Sequence, residues 1–131
     1  MGRLLVVDDD MPVADVIYEI GKSHGLEVRL VTQSREFQAA YSQFKPDVLT
    51  LDLLMPDLDG FEILSYLREQ GCRARIIILS GAGEHYLHMA NEIASLGRLH
   101  IDRVLAKPTQ IGELYGLLSQ RLSGDESMSS Q

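Results

Sequence analysis

Cysteine occurs once in this 131-residue chain, tryptophan is missing, and aromatic residues make up only 6% of it. With Cys72 alone there is no internal disulfide, and a cysteine-based zinc site is not expected; a buried or half-buried thiol is the plain reading. No apolar run approaches the ~20 residues needed to span a bilayer. Met1 to Val7 leads at once into an acidic cluster, unlike a signal peptide, so the expected compartment is the cytoplasm. Cations are scarce as well, 12 Lys and Arg against 19 Asp and Glu. The net charge of -7 provides no long-range field toward phosphate backbones or anionic lipid, so neither direct nucleic-acid binding nor membrane association is expected.

The remaining composition, 45% apolar and 24% charged, is that of a soluble globular protein with room for one compact domain. Five short apolar runs stand too far apart for hairpins: Leu4 to Val7, Val28 to Val31, Val48 to Leu51, Ile76 to Leu79 and Ile101 to Leu105. Three are nearly continuous in aliphatic residues, as parallel strands covered on both faces should be. Helical spacing fills the intervals: Val13, Val16, Ile17 and Ile20; Phe37, Ala40, Tyr41 and Phe44; Phe61, Leu64 and Leu67; Leu87, Ala90 and Ala94. A last helix is expected through Ile111, Leu114, Tyr115, Leu118 and Leu122, with Thr109 as its N-cap. Strict strand-helix alternation predicts an α/β, doubly wound, five-stranded parallel sheet with helices on both faces, spanning residues 1–122. Residues 123–131 lose periodicity and read as a flexible tail or the start of a linker.

Sites in such sheets lie beyond the carboxyl ends of the strands. The first run leads into Asp8, Asp9 and Asp10, and the third ends at Asp52. Asp10, shortly before Pro12, is read as a helix cap. Carboxylates gathered from two strands repel one another, and a hard dication with oxygen ligands relieves this; Mg2+ fits such a donor set best. The fourth run ends at Ser80 and the fifth is followed by Lys107-Pro108, which brings a hydroxyl and an ammonium to the same rim. This set suits phosphoryl transfer, with Asp52 as nucleophile, Lys107 and Mg2+ neutralising charge, and Ser80 donating a hydrogen bond. Taken singly, each of these residues has a structural reading as a cap, a turn former or a surface side chain; the combination in order is what points to chemistry.

The four pieces Val6-Val7-Asp8-Asp9-Asp10, Leu51-Asp52 through Pro56 to Gly60, Leu79-Ser80-Gly81 and Lys107-Pro108 resemble a response regulator receiver domain, over residues 3 to about 122. The resemblance implies a flavodoxin-like sheet of order 2-1-3-4-5. It implies Asp9 as a direct Mg2+ ligand, Asp8 acting largely through water, Asp52 as ligand and phosphoacceptor, and the backbone carbonyl of Leu54 as a further ligand. Lys107 would pair with the phosphate, across a cis Lys107-Pro108 bond. The implied phosphodonor is a sensor histidine kinase or phosphotransfer protein. The implied effect is a changed surface for an output domain in cis, a partner in trans or a second copy of the chain. The wording from Leu79 to Gly83, Ala90 to Gly97 and Leu105 to Pro108 is similar to receivers fused to EAL-type cyclic-di-GMP phosphodiesterases.

Two features depart from the common pattern. Val104 stands where many receivers carry a switching aromatic, so the signal is expected to leave through the segment after the fourth strand. The interval from Ser80 to Lys107 is long, with the extra residues placed between Glu92 and His100. His85, His88 and Glu92 share a helical face, read as a solvated or partner surface before a transition-metal site. Gly81 and Gly83 match neither a dinucleotide fingerprint nor a Walker motif. Two rivals remain: a non-phosphorylated interaction module with the same fold, and a small phosphate-ester hydrolase with an Asp nucleophile.

Overall fold

The structure, a computed structural model, describes residues 2–81 and 97–107 together with Gly112, Tyr115, Gly116 and Ser119. Five strands, β1 (Arg3–Val7), β2 (Glu27–Val31), β3 (Val48–Asp52), β4 (Arg75–Gly81) and β5 (His100–Lys107), form one sheet. Every pairing is parallel and the order is β2-β1-β3-β4-β5, as expected. The helices α1 (Met11–Ser23), α2 (Phe37–Phe44, entered through a 3-10 turn at Ser34–Glu36) and α3 (Gly60–Glu69) connect the first four strands. Gly112, Tyr115, Gly116 and Ser119 are helical, within the span expected for the last helix. The expected helix through Leu87, Ala90 and Ala94, the His85, His88 and Glu92 face, and the Thr109 cap lie outside the described residues.

The aliphatic runs are continuous because the sheet has two apolar faces. Leu4 and Val6 of β1, Val48 of β3, and Ile77 and Leu79 of β4 pack with Val13, Ala14, Ile17 and Ile20 of α1. Their neighbours Leu5, Val7, Leu49, Leu51, Ile76 and Ile78 point the other way, into a cluster with Phe37 and Ala40 of α2 and Leu64 and Leu67 of α3. Strand side chains alternate between faces, so a strand covered on both sides needs an apolar residue at every position. β2, at the edge, is less buried and less strictly aliphatic.

Local signals set the helix ends. In α1, Asp10 holds the N-cap position and its carbonyl accepts from the Ala14 N–H at 2.8 Å, but its side chain makes no capping bond. Pro12 sits in the first turn, where a missing N–H costs nothing. Gly25, at φ 78°, ends the helix, with the Leu26 N–H reaching back to Gly21 O at 3.0 Å. In α3, Asp59 caps through its side chain, Oδ1 accepting from the Glu62 N–H at 3.2 Å. α2 ends on Lys45 in the left-handed conformation at φ 53°, a place usually held by glycine.

β5 departs from a regular ladder. Ile76 pairs with Ile101 but Ile77 with Arg103, so Asp102 is an extra residue in the strand. The slip lets Ile101 and Val104, three positions apart, both pack against the α2–α3 cluster, while Leu105 joins the α1 side.

Two expectations follow from this packing. A Cβ built on Gly21 would stand 2.8 Å from both Leu4 Cδ2 and Val28 Cγ2, so α1 approaches the sheet closely at this point. Gly21→Leu should therefore lower stability by about 1–3 kcal/mol through overpacking, measured by urea unfolding. Tyr41 lies against Phe37 and Tyr66, and burial, then hydrogen bonding and charge interaction with Cys72, push its phenol up from the ordinary value of 10.0. A raised folded value leaves stability untouched below pH 10.0 and erodes it above, where the unfolded phenol ionises first. Unfolding curves of Tyr41→Phe should thus fall less steeply than those of the parent as the pH rises beyond 10.0.

Candidate functional site

The site begins with strand register. β1 pairs with β3 as Leu4 with Val48, through to Val7 with Leu51, so one residue further on Asp8 arrives beside Asp52. Parity places both on the α1 side: Asp8 follows Leu4 and Val6, and Asp52 follows Val48. Carboxylate oxygens of Asp8, Asp9 and Asp52 all lie within 4.8 Å of one another. Asp8 and Asp52 are each only 1% exposed, whereas Asp9 is exposed.

The two buried carboxylates are held in the same way. Asp8 Oδ1 accepts the Asp10 N–H at 2.9 Å, and Asp52 Oδ1 accepts the Leu54 N–H at 2.8 Å. Each side chain thereby bonds the backbone two residues ahead and turns the chain sharply out of its strand. Around them the Asp8 N–H donates to Val31 O at 3.0 Å and the Leu53 N–H to Leu79 O at 2.8 Å, which fixes the strand ends.

Like charges at this separation repel by roughly 3 kcal/mol at an effective dielectric of about 20 for the buried pair Asp8 and Asp52, and by much less where exposed Asp9 is screened by water. An all-oxygen donor set, with two carboxylates removed from water and no His or Cys among them, fits a hard dication such as Mg2+ and not a thiophilic metal. Asp10, third in the acidic run, belongs to the helix start and not to the cluster.

Of the other residues expected here, Leu54 follows Asp52 in the turn to α3 and is 44% exposed. Ser80 and Lys107 reach the same carboxyl edge by backbone register, Ser80 opposite Ala106 and Gly81 opposite Lys107. Their side chains lie outside the described part of the structure.

One feature had no signal in the sequence. A cleft of about 670 Å3 opens beside Asp9 between the segment after β2 and the β3–α3 turn, with Arg35, Gln38, Asp57 and Glu62 among its lining residues. The Ser34 hydroxyl donates to Asp57 O at 3.4 Å across it, and Asp57 is held at φ 65°. These residues are far apart in the chain and belong to no local motif, so only the folded arrangement joins them.

Comparison with known proteins places the fold within a family. Residues 4–119 match the family described as the response regulator receiver domain. The chemotaxis protein CheY of Listeria monocytogenes is 35% identical over 85 residues, covering 64% of this chain and 71% of that protein. The tetrathionate response regulatory protein TtrR of Salmonella typhimurium is 30% identical over 123 residues, covering 94% of this chain and 57% of that protein. The chain therefore spans a little over half of TtrR. Among solved structures, a signal receiver domain from Bermanella marisrubri superposes with a TM-score of 0.70 at 29% identity, covering 88% of this chain and 93% of that one. A CheY-like receiver from Methanospirillum hungatei reaches a TM-score of 0.75 over 98% of both chains at 23% identity, which speaks for the fold alone.

The chain belongs to the response regulator receiver domain family. Such domains are signalling modules of two-component systems and not conventional enzymes; phosphorylation and an acidic Mg2+ pocket are general among them, as is interaction with histidine kinases or phosphotransfer proteins. No helix among the described residues is long and apolar enough to cross a membrane.

If the acidic cluster holds a dication, removing its exposed member should separate repulsion from binding. Asp9→Asn is expected to be as stable as the parent in EDTA, or more stable by up to about 1 kcal/mol through lost repulsion. The same variant should bind Mg2+ at least tenfold more weakly, seen as a smaller rise in Tm across a Mg2+ titration.

Proposed function

We propose that Asp52 is the phosphoacceptor of this receiver, taking its phosphoryl group from a phosphohistidine on a sensor histidine kinase or phosphotransfer protein. The observation that carries the proposal is the convergence of Asp8, Asp9 and Asp52 within 4.8 Å, two of them buried, at the carboxyl edge of the sheet. A carboxylate oxygen of Asp52 attacks phosphorus in line. The new O–P bond forms as the N–P bond breaks, and its electron pair leaves on the imidazole nitrogen of the donor, giving an acyl phosphate.

Asp8, Asp9, Asp52 and the backbone carbonyl of Leu54 are the residues assigned to hold Mg2+, which when bound neutralises charge on the transferring oxygens. The Leu54 N–H bond to Asp52 orients the nucleophile before any donor arrives. Lys107 pairs with the phosphoryl group and Ser80 donates a hydrogen bond to it, drawn in by the added charge. Water later hydrolyses the acyl phosphate slowly.

The receiver unit is residues 1–122, with 123–131 as tail or linker, acting in the cytoplasm. Its phosphorylation alters the surface formed by the segment after β4, β5 and the last helix, and so the engagement of an output domain, a partner protein or a second copy. With Val104 partly buried against the α2–α3 cluster in place of an aromatic, the change passes through the segment after β4. The wording shared with EAL-fused receivers supports cyclic-di-GMP hydrolysis as the controlled output.

Incubation with acetyl phosphate and Mg2+ tests the assignment. Intact mass spectrometry should show a single added phosphoryl group, removed by hydroxylamine and absent from Asp52→Asn. A parent protein that stays unmodified, or an adduct that persists in Asp52→Asn, would sink it; the first outcome points to a non-phosphorylated interaction module.

A further inference from the structure

At the amino ends of the strands, opposite the carboxylates, two clefts of about 380 and 570 Å3 adjoin and share Lys45 and Asp47. Arg73 lines the first, and Arg3, Lys22 and Glu27 line the second. Several of these charges already have work. Arg3 pairs with Glu27 at 3.3 Å and donates to Phe44 O at 3.1 Å. Asp47 Oδ2 accepts the Arg3 N–H at 2.9 Å, while its backbone bonds to Arg3 and Arg75 at 2.8 and 2.9 Å. What remains is Lys22, Lys45 and Arg73, all exposed and with no ion pair or side-chain hydrogen bond among the described residues.

Helix dipoles do not account for the three together. Lys22 lies in the last turn of α1, where a cation is favourable. Arg73, however, lies four positions beyond Glu69, the end of α3. Lys45 sits just past α2 at φ 53°, where a glycine would relieve the backbone, yet a lysine is found.

We propose that Lys22, Lys45 and Arg73 form a docking row for an extended acidic peptide segment of a partner protein, lying across the amino edge of the sheet. Lys22 closes α1 ahead of β2, whereas Lys45 and Arg73 lie in the connections into β3 and β4, and in the order β2-β1-β3-β4 these three strands span three spacings. At about 4.8 Å per spacing the steps are uneven, roughly 10 Å from β2 to β3 and roughly 5 Å from β3 to β4. The edge to be covered is thus roughly 15 Å, the length of about four to five residues of extended peptide, and the long Lys and Arg side chains take up the unevenness. A short peptide meets this local excess of cations, whereas a long polyanion also meets the field of a chain with net charge -7. The acidic cluster at the other edge turns the same peptide away from the phosphorylation site. The inference does not depend on the role of Asp52.

An NMR titration of the intact chain with hexaglutamate at low salt tests this. Amide shifts should cluster at Lys22, Lys45 and Arg73 and saturate, and binding should weaken severalfold at physiological ionic strength. A variant combining Lys22→Ala, Lys45→Gly and Arg73→Ala should lose at least tenfold in affinity. Lys45→Gly alone should weaken binding while keeping or raising Tm, which separates lost charge from lost folding. Absence of clustered shifts, or equal binding by the triple variant, overturns the proposal. Tighter binding of tripolyphosphate or of a short oligothymidylate than of hexaglutamate overturns the peptide as occupant.

Discussion

The register of β1 on β3 governs this molecule. It brings the residues following Val7 and Leu51 side by side on one face of the sheet, and both are aspartates. A slip of one residue would turn one of them to the opposite face and leave a carboxylate inside the α2–α3 cluster. The apolar faces hold the register: Leu4 and Val6 need α1, and Leu5 and Val7 need α2 and α3. Hydrophobic packing thus forces together two charges that would not approach each other in water.

That forced approach is the source of the chemistry. Each buried carboxylate satisfies one oxygen with a backbone N–H two residues on, and this holds its orientation without adding positive charge. The remaining negative potential is what a hard dication and an incoming phosphoryl group can use, because their affinity comes from charge concentrated in a partly dry pocket. The opposite edge differs: Asp47 and Arg3 are engaged by backbone and ion pair, and Lys22, Lys45 and Arg73 have no ion pair among the described residues.

Much of this was legible in the sequence because the signals were local and redundant. Continuous aliphatic runs marked the buried strands, the Val13 to Ile20 spacing marked the inner face of α1, and Asp8, Asp9 and Asp52 stood at strand ends, where such sheets place their sites. Strand order was legible only through resemblance, since spacing alone does not fix which neighbours pair. The extra residue at Asp102 was not legible: a bulge reflects how β5 fits β4 and the cluster beneath it, and nothing in Ile101 to Leu105 announces it. Nor was the left-handed Lys45, where glycine or asparagine would have been the usual marker, or the cleft that brings Arg35 to Asp57 and Asp9. Asp10 took the cap position as expected without making the side-chain bond.

The central claim is that one dication binds among the carboxylates that β1 and β3 bring together. Paramagnetic broadening by substoichiometric Mn2+, followed residue by residue in amide NMR spectra, addresses it directly. The account predicts that the signals of Asp8 to Asp10 and Asp52 to Leu54 disappear first and return when excess Mg2+ is added. Broadening centred on another part of the chain, or spread evenly over its acidic surface, would contradict it.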